Sequence, residues 1–249
     1  MIGTAELERI VDTVAPVSAA EEWDNVGLLV DCGNRTDKVL FSLDATPEAI
    51  EEAAELGCGI IVTHHPVIFH PLKRIDSRSP VFLAVRKNIS VISAHTNFDC
   101  ADGGVNDELC SILGLEETGK VEGICRSGSL SGEMTVSDFA GFVMKKLGVP
   151  HVGMVDTGRK VHRVLVIGGA GGDYVDAAEN SGCDTLLTGE VRHHEALEGR
   201  LRNINIISAG HYGTENPTVQ RLMKSVCACA EGRFTGFLSA ENRDPMPIV

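Results

Sequence analysis

No window of the 249-residue chain approaches the ~18 uninterrupted apolar residues needed to cross a bilayer. Its first ten residues carry two glutamates and lack the basic-then-apolar order of an export signal, so a cytoplasmic protein is expected. Basic charge is in deficit, with 22 Lys and Arg against 35 Asp and Glu and a formal net charge of −13. An acidic surface repels phosphate backbones, which disfavours nucleic acid as a partner unless basic residues gather on one face. The nearest thing to a basic cluster, at 73–86, reads as a solvated loop and helix face. The eight cysteines include no C-x-x-C pair and no zinc-ribbon spacing, so they read as reduced, mostly buried small apolar residues. A redox role for Cys227 and Cys229 is the minor alternative. Low-complexity segments and short-period repeats are absent as well.

What is present is a repeated alternation of short β-branched runs with helical stretches. Strands are expected at 26–32, 38–44, 59–63 and 89–94, with helices at 47–56, 80–86 and 105–113. The second half continues with a capped helix between 132 and 147, which Thr135 or Ser137 opens and Gly148 closes. Strands follow at 161–167, 185–188 and 204–208, helices at 174–180, 193–201 and 218–230, and a last strand at 233–239. This order predicts an α/β fold of mainly parallel sheets flanked by helices. Glycine and serine crowd together at 122–133, which suggests two lobes, 1–125 and 126–249, with the C-terminal strand a candidate to complete the first.

A glycine cluster, 168–172 (GGAGG), follows a predicted strand, the context of a dinucleotide fingerprint. The register fails: with Gly169 and Gly171 as the first two glycines, the third falls on Tyr174. A Walker-type loop is also missing. NAD and ATP are therefore rejected as default ligands, and a tight turn or a close backbone approach is the better reading.

Three strand ends carry ligand-type side chains. The buried run 59–63 ends in His64 and His65, the strand before residue 95 leads into His95 and Asp99, and the strand before residue 211 leads into His211 and Glu215. Each has a bland competitor: Asp99 as a turn or helix cap, and residues 211–217 as a helix start with Thr214 as cap and Pro217 in its first turn. Three such coincidences argue for metal. Imidazole and carboxylate suit zinc, iron, manganese or nickel, and the lack of cysteine among them argues against a purely structural zinc site.

Taken together, EEWDNVGLLV (21–30), THHPVIFHPLKRI (63–75), AHTNFD (94–99), GGVND (103–107), TGE (188–190) and GHYGTE (210–215) resemble the NGG-interacting-factor-three-like family, often described as type-two GTP cyclohydrolase homologues. The resemblance spans nearly the whole chain in the short form without an inserted domain. It implies two divalent metal ions per chain in a dinuclear centre between two lobes, with His64, His65, Asp99, His211 and Glu215 as ligands. It places His95 beside the metals as a proton-handling catalytic group. It also implies a toroidal homohexamer and a metal-dependent hydrolase acting on a small molecule, with GTP suggested by the family description. A phosphoester hydrolase and a non-catalytic metal-binding scaffold are the competing readings. His193 and His194 fall in a stretch variable in the family, either facing substrate or opening a capped helix. Trp23 is expected in the core, and Asp24 and Asn25 in a turn.

Overall fold

The computed structural model describes residues 1–247. In chain order it runs β1 (Ile2–Gly3), α1 (Thr4–Val14), β2 (Gly27–Val30), β3 (Arg35–Thr36), β4 (Lys38–Ser42), α2 (Pro47–Leu56), β5 (Ile60–Thr63), α3 (Pro80–Arg86), β6 (Ser90–Ser93) and α4 (Thr96–Cys100). It continues with α5 (Val105–Leu113), β7 (Glu116–Val121), β8 (Cys125–Met134), α6 (Val136–Leu147), β9 (Gly153–Val155), β10 (Val161–Val166), α7 (Val175–Asn180), β11 (Thr185–Thr188), α8 (His193–Leu201), β12 (Asn205–Ser208), α9 (His211–Ala230) and β13 (Thr235–Leu238). None of the described helices is long and apolar enough to cross a membrane.

Two compact units emerge, residues 1–104 with 219–243, and residues 105–218 with the described residues from 244 on. The division falls inside α9, which begins in the second unit and ends in the first.

The first unit is built on a five-stranded sheet in the order β13-β4-β5-β6-β2. Its first three pairings are parallel and β2 runs antiparallel at the edge. Central strand β5 is buried on both faces, the reason it reads as an unbroken apolar run. Ile61 lies in register between Leu40 and Val91 and joins Ile50, Ala53, Val81 and Ala84 in one core cluster. Local chemistry sets the helix flanking it. Thr46 caps α2 by accepting from the Ala49 N–H, Pro47 opens the first turn, and Gly57 ends the helix at φ 74°.

The second unit holds a six-stranded sheet, β7-β8-β10-β11-β12-β9. Parallel strands β10, β11 and β12 form its centre, with antiparallel neighbours β8 on one side and β9 on the other. Residues 122–133, rich in glycine and serine, are the turn and second strand of the β7–β8 hairpin. Gly128 is needed there, since a Cβ would lie 2.8 Å from that of Leu115.

Burial pushes the Cys58 thiol up to about 11 and the Cys110 thiol to about 12. Burial likewise raises Cys227, so at neutral pH these behave as small apolar side chains rather than nucleophiles.

Ile61→Ala should lower stability to urea by about 2–5 kcal/mol, the range for emptying a packed aliphatic site. A loss below about 1 kcal/mol would show that the sheet's centre is not close-packed.

Candidate metal centre

In the first unit the end of β5 sets the site. Past Thr63 the ladder continues for two residues, with His64 N–H donating to the Ser42 carbonyl and His65 N–H to that of Leu43. Ser93 Oγ donates to the His64 carbonyl and Thr63 Oγ1 to that of His65. The backbone of both histidines is therefore fixed from two neighbouring strands.

Their rings are fixed too. His64 Nδ1 lies 2.9 Å from the Ala94 carbonyl, His65 Nδ1 2.8 Å from Asp44 Oδ1, and His95 Nδ1 2.9 Å from Asp24 Oδ1. A carbonyl or a carboxylate can only accept, so in each ring Nδ1 carries the proton of that bond. Donor atoms of His64, His65 and His95 all lie within 4.8 Å of one another. Asp99 Oδ1 stands 3.6 Å from His64 Nε2.

Asp99 is the fourth residue of α4, and the cap position before that helix is His95, whose side chain makes no cap bond. Asp99 therefore does not cap α4 itself. Asp24 does more than set a turn. Burial alone would raise its pKa, but hydrogen bonds from His95 and Thr96 and the backbone N–H of Asn25 outweigh that, and the carboxyl stays well below the usual range. Thr96 donates to it from both its hydroxyl and its N–H. Trp23 is not a core residue: its ring is largely exposed, packed on Phe69 and His95.

In the second unit β12 hands over to α9 through Gly210, at φ 82°. The helix starts at His211 itself, so Thr214 is an interior residue rather than the cap, and Pro217 lies inside the helix. Spacing of i, i+4 brings His211 Nε2 within 3.0 Å of Glu215 Oε2. His211 Nδ1 lies 3.0 Å from Glu190 Oε1, just past β11, repeating the arrangement of the other three rings.

The glycine cluster finds its reason here. Gly169, at φ 62°, sits so close to Glu215 that a Cβ would overlap the carboxylate, and Gly172 stands in the same relation to Glu195. Thr214 Oγ1 accepts from the Gly169 N–H, and Thr188 Oγ1 from that of Gly171. The loop is a backbone cradle for buried carboxylates. His193 and His194 are exposed on the first turn of α8, where Glu195 accepts from both the Arg192 backbone N–H and its guanidinium.

Sequence reasoning missed the anchors Asp44 and Glu190, although both are carboxylates just past the ends of strands and could have been found by that criterion. Asp24 carried no such signal, because its histidine partner is 71 residues away.

The sequence profile of the family described as Duf34/NIF3 (NGG1p interacting factor 3) matches residues 3–245. The chain is 30% identical to a Clostridium perfringens protein over 98% of each, and 33% identical to one from Clostridium acetobutylicum over 89% of this chain and 88% of that one. Both relatives bear the name GTP cyclohydrolase 1 type 2 homolog. Among solved structures, a Bacillus cereus protein related to NIF3 shares the fold with a TM-score of 0.90 at 23% identity, over 100% of this chain and 99% of the other.

Two substitutions probe the geometry. Asp24→Asn should cost about 1–3 kcal/mol, since it weakens bonds to His95 and Thr96 in a buried setting, and thermal unfolding reads it. An unchanged midpoint would mean that Asp24 does not hold that segment. Gly169→Ala, strained by its φ and by overlap with Glu215, should cost at least about 1 kcal/mol in the same assay, and a neutral result would remove the cradle.

Proposed function

The chain belongs to the Duf34/NIF3 family, and on that premise we propose that it is a divalent-metal-dependent hydrolase acting on a nucleotide-type small molecule, in the manner of a type-two GTP cyclohydrolase. The observation that carries this reading is the shared state of four histidines. His64, His65, His95 and His211 each have Nδ1 held by an oxygen acceptor, which makes Nε2 the atom that would meet an ion. Metal-ligating histidines are oriented in this way.

The residues present fit such ions. His64, His65, Asp99, His211 and Glu215 would be the ligands, with two ions per chain. The donor set is imidazole and carboxylate throughout, which suits zinc, iron, manganese or nickel. Bound ions would supply Lewis acidity toward a substrate oxygen. The chain's own groups supply the rest. Nε2 of His95 can take up a proton from a reacting water and return it to a leaving nitrogen, while Asp24, kept ionised, stabilises the imidazolium that forms in between. Buried strand ends hold these rings in one orientation, which lowers the cost of reaching the reactive arrangement. In the GTP reading, water adds at the imidazole-ring carbon between two nitrogens and the ring opens. The assembly implied by the family resemblance is a homohexamer, which light scattering would read directly.

Metal content of the purified protein, beside an Asp99→Ala variant and with GTP turnover on the same samples, is the deciding measurement. About two transition-metal ions per chain are expected, falling together with turnover in the variant. Two ions without GTP turnover would move the reading to phosphoesters, and inactivity there as well would leave a metal-binding scaffold. A metal-free protein after reconstitution would overturn the proposal.

A further inference from the structure

Beside the imidazole cluster the first unit displays two exposed rings in an ordered pair. Trp23 is 59% and Phe69 45% exposed, with ring centroids 5.7 Å apart. Each meets the His95 ring edge-on at 6.1 Å, and His95 packs in turn on His64 and His65 at 5.2 and 5.6 Å. Hydrogen bonds hold the pair from both sides. Asp24, next to Trp23 in sequence, is tied to His95 and Thr96, and the Asn25 amide donates to the carbonyl of Ile68, next to Phe69, at 2.6 Å.

A single exposed aromatic needs no explanation, but two in mutual contact, held in place against a histidine of the candidate centre, do. Exposure at this level contributes little to folding, so the ordered pair is suited to something that lands on it. Ring chemistry says what that is: aromatic faces stack on planar π-systems, and every nucleobase has one. The loop that carries Phe69 adds the sign of charge. Residues 66–79 hold Lys73, Arg74 and Arg78 against Asp76 alone, in a chain of net charge −13. Arg78 pairs with Asp76, which leaves the loop positive through Lys73 and Arg74.

We propose that Trp23 and Phe69 form a stacking wall that holds the planar heteroaromatic ring of a small anionic ligand against His95. This deepens the hydrolase reading and rests on it for the chemistry beside the ring, whereas the stacking itself requires no metal.

Trp23 is the chain's one tryptophan, so its emission reports from the wall. The full chain, in metal-replete and EDTA-treated form, is titrated with guanosine 5′-monophosphate and, as the ring-free control, ribose 5-phosphate. A saturable change in emission is expected with the nucleotide in both forms and none with the sugar phosphate. Phe69→Leu should weaken nucleotide binding by about 10- to 100-fold and Phe69→Tyr should retain it. Trp23→Leu, followed by equilibrium dialysis, should weaken binding by a similar factor with an unchanged circular dichroism spectrum. Absent saturation, equal binding of ribose 5-phosphate, or unaltered affinity in both leucine variants would overturn the wall. Metal content is measured on the same samples. Two ions per chain with no nucleotide response would sink the wall and leave the metal reading standing, and nucleotide binding by a chain that takes up no metal would do the reverse. A change of oligomeric state in Trp23→Leu, without any nucleotide response in the wild type, would assign the pair to contact between copies and also overturn the proposal.

Discussion

A neutral histidine has two tautomers, and a ring free to rotate can present either nitrogen. In this protein the choice is removed at four rings by one device: an oxygen that can only accept, placed within 3.0 Å of Nδ1. The acceptor is the Ala94 carbonyl for His64 and a carboxylate (Asp44, Asp24 or Glu190) for the other three. Everything else about the candidate centre depends on this constraint. Without it Nε2 would have no defined direction, and neighbouring imidazoles would be ordinary polar side chains seeking water.

Fixing a ring requires a fixed acceptor, and the sheets provide it. Asp44 and Glu190 lie just past the ends of β4 and β11, Ala94 just past β6, and His64 and His65 just past β5. Parallel strands buried on both faces end together at one edge of a sheet, so residues distant in sequence meet there without long connecting loops. Asp24 is the exception. It precedes β2, an antiparallel edge strand, and reaches His95 because that strand pairs with β6. One carboxylate then ties together the His95 ring and the Thr96 hydroxyl and N–H, which explains why its charge is favoured despite burial.

Much of this was legible in the sequence where the signals are local. The bounds read for α2, α3, α5 and α8 coincide with the structure; at α2 a capping threonine, proline and glycine mark them within a few residues. Helix α1 went unread: Gly3 precedes it without a side-chain cap, and its polar residues mask the apolar stripe of Leu7, Ile10 and Val11. Strands β7 and β8 were missed for a different reason. CRSGSLSGEM has little intrinsic strand preference, and pairing with β10, more than 25 residues on, decides its conformation. Trp23 followed a similar course. A tryptophan near a hydrophobic strand is usually buried, and only the pairing of Asn25 with the Ile68 carbonyl shows that its neighbour in space is Phe69 on an exposed loop.

The glycine cluster at 168–172 shows how far a motif can carry an inference. Glycine after a strand signals that something approaches the backbone more closely than a Cβ allows, and in dinucleotide-binding folds that something is a pyrophosphate. Here the approaching groups are the protein's own carboxylates, Glu215 over Gly169 and Glu195 over Gly172. The backbone requirement is the same in both cases, which is why the local pattern tempts the reader toward a nucleotide. What separates them is the register of the third glycine and the presence, elsewhere in the chain, of acidic residues whose elements come back to that strand end. In this chain the glycines give Glu215 a buried seat 3.0 Å from His211, and so serve the arrangement of ligand-type side chains rather than a phosphate.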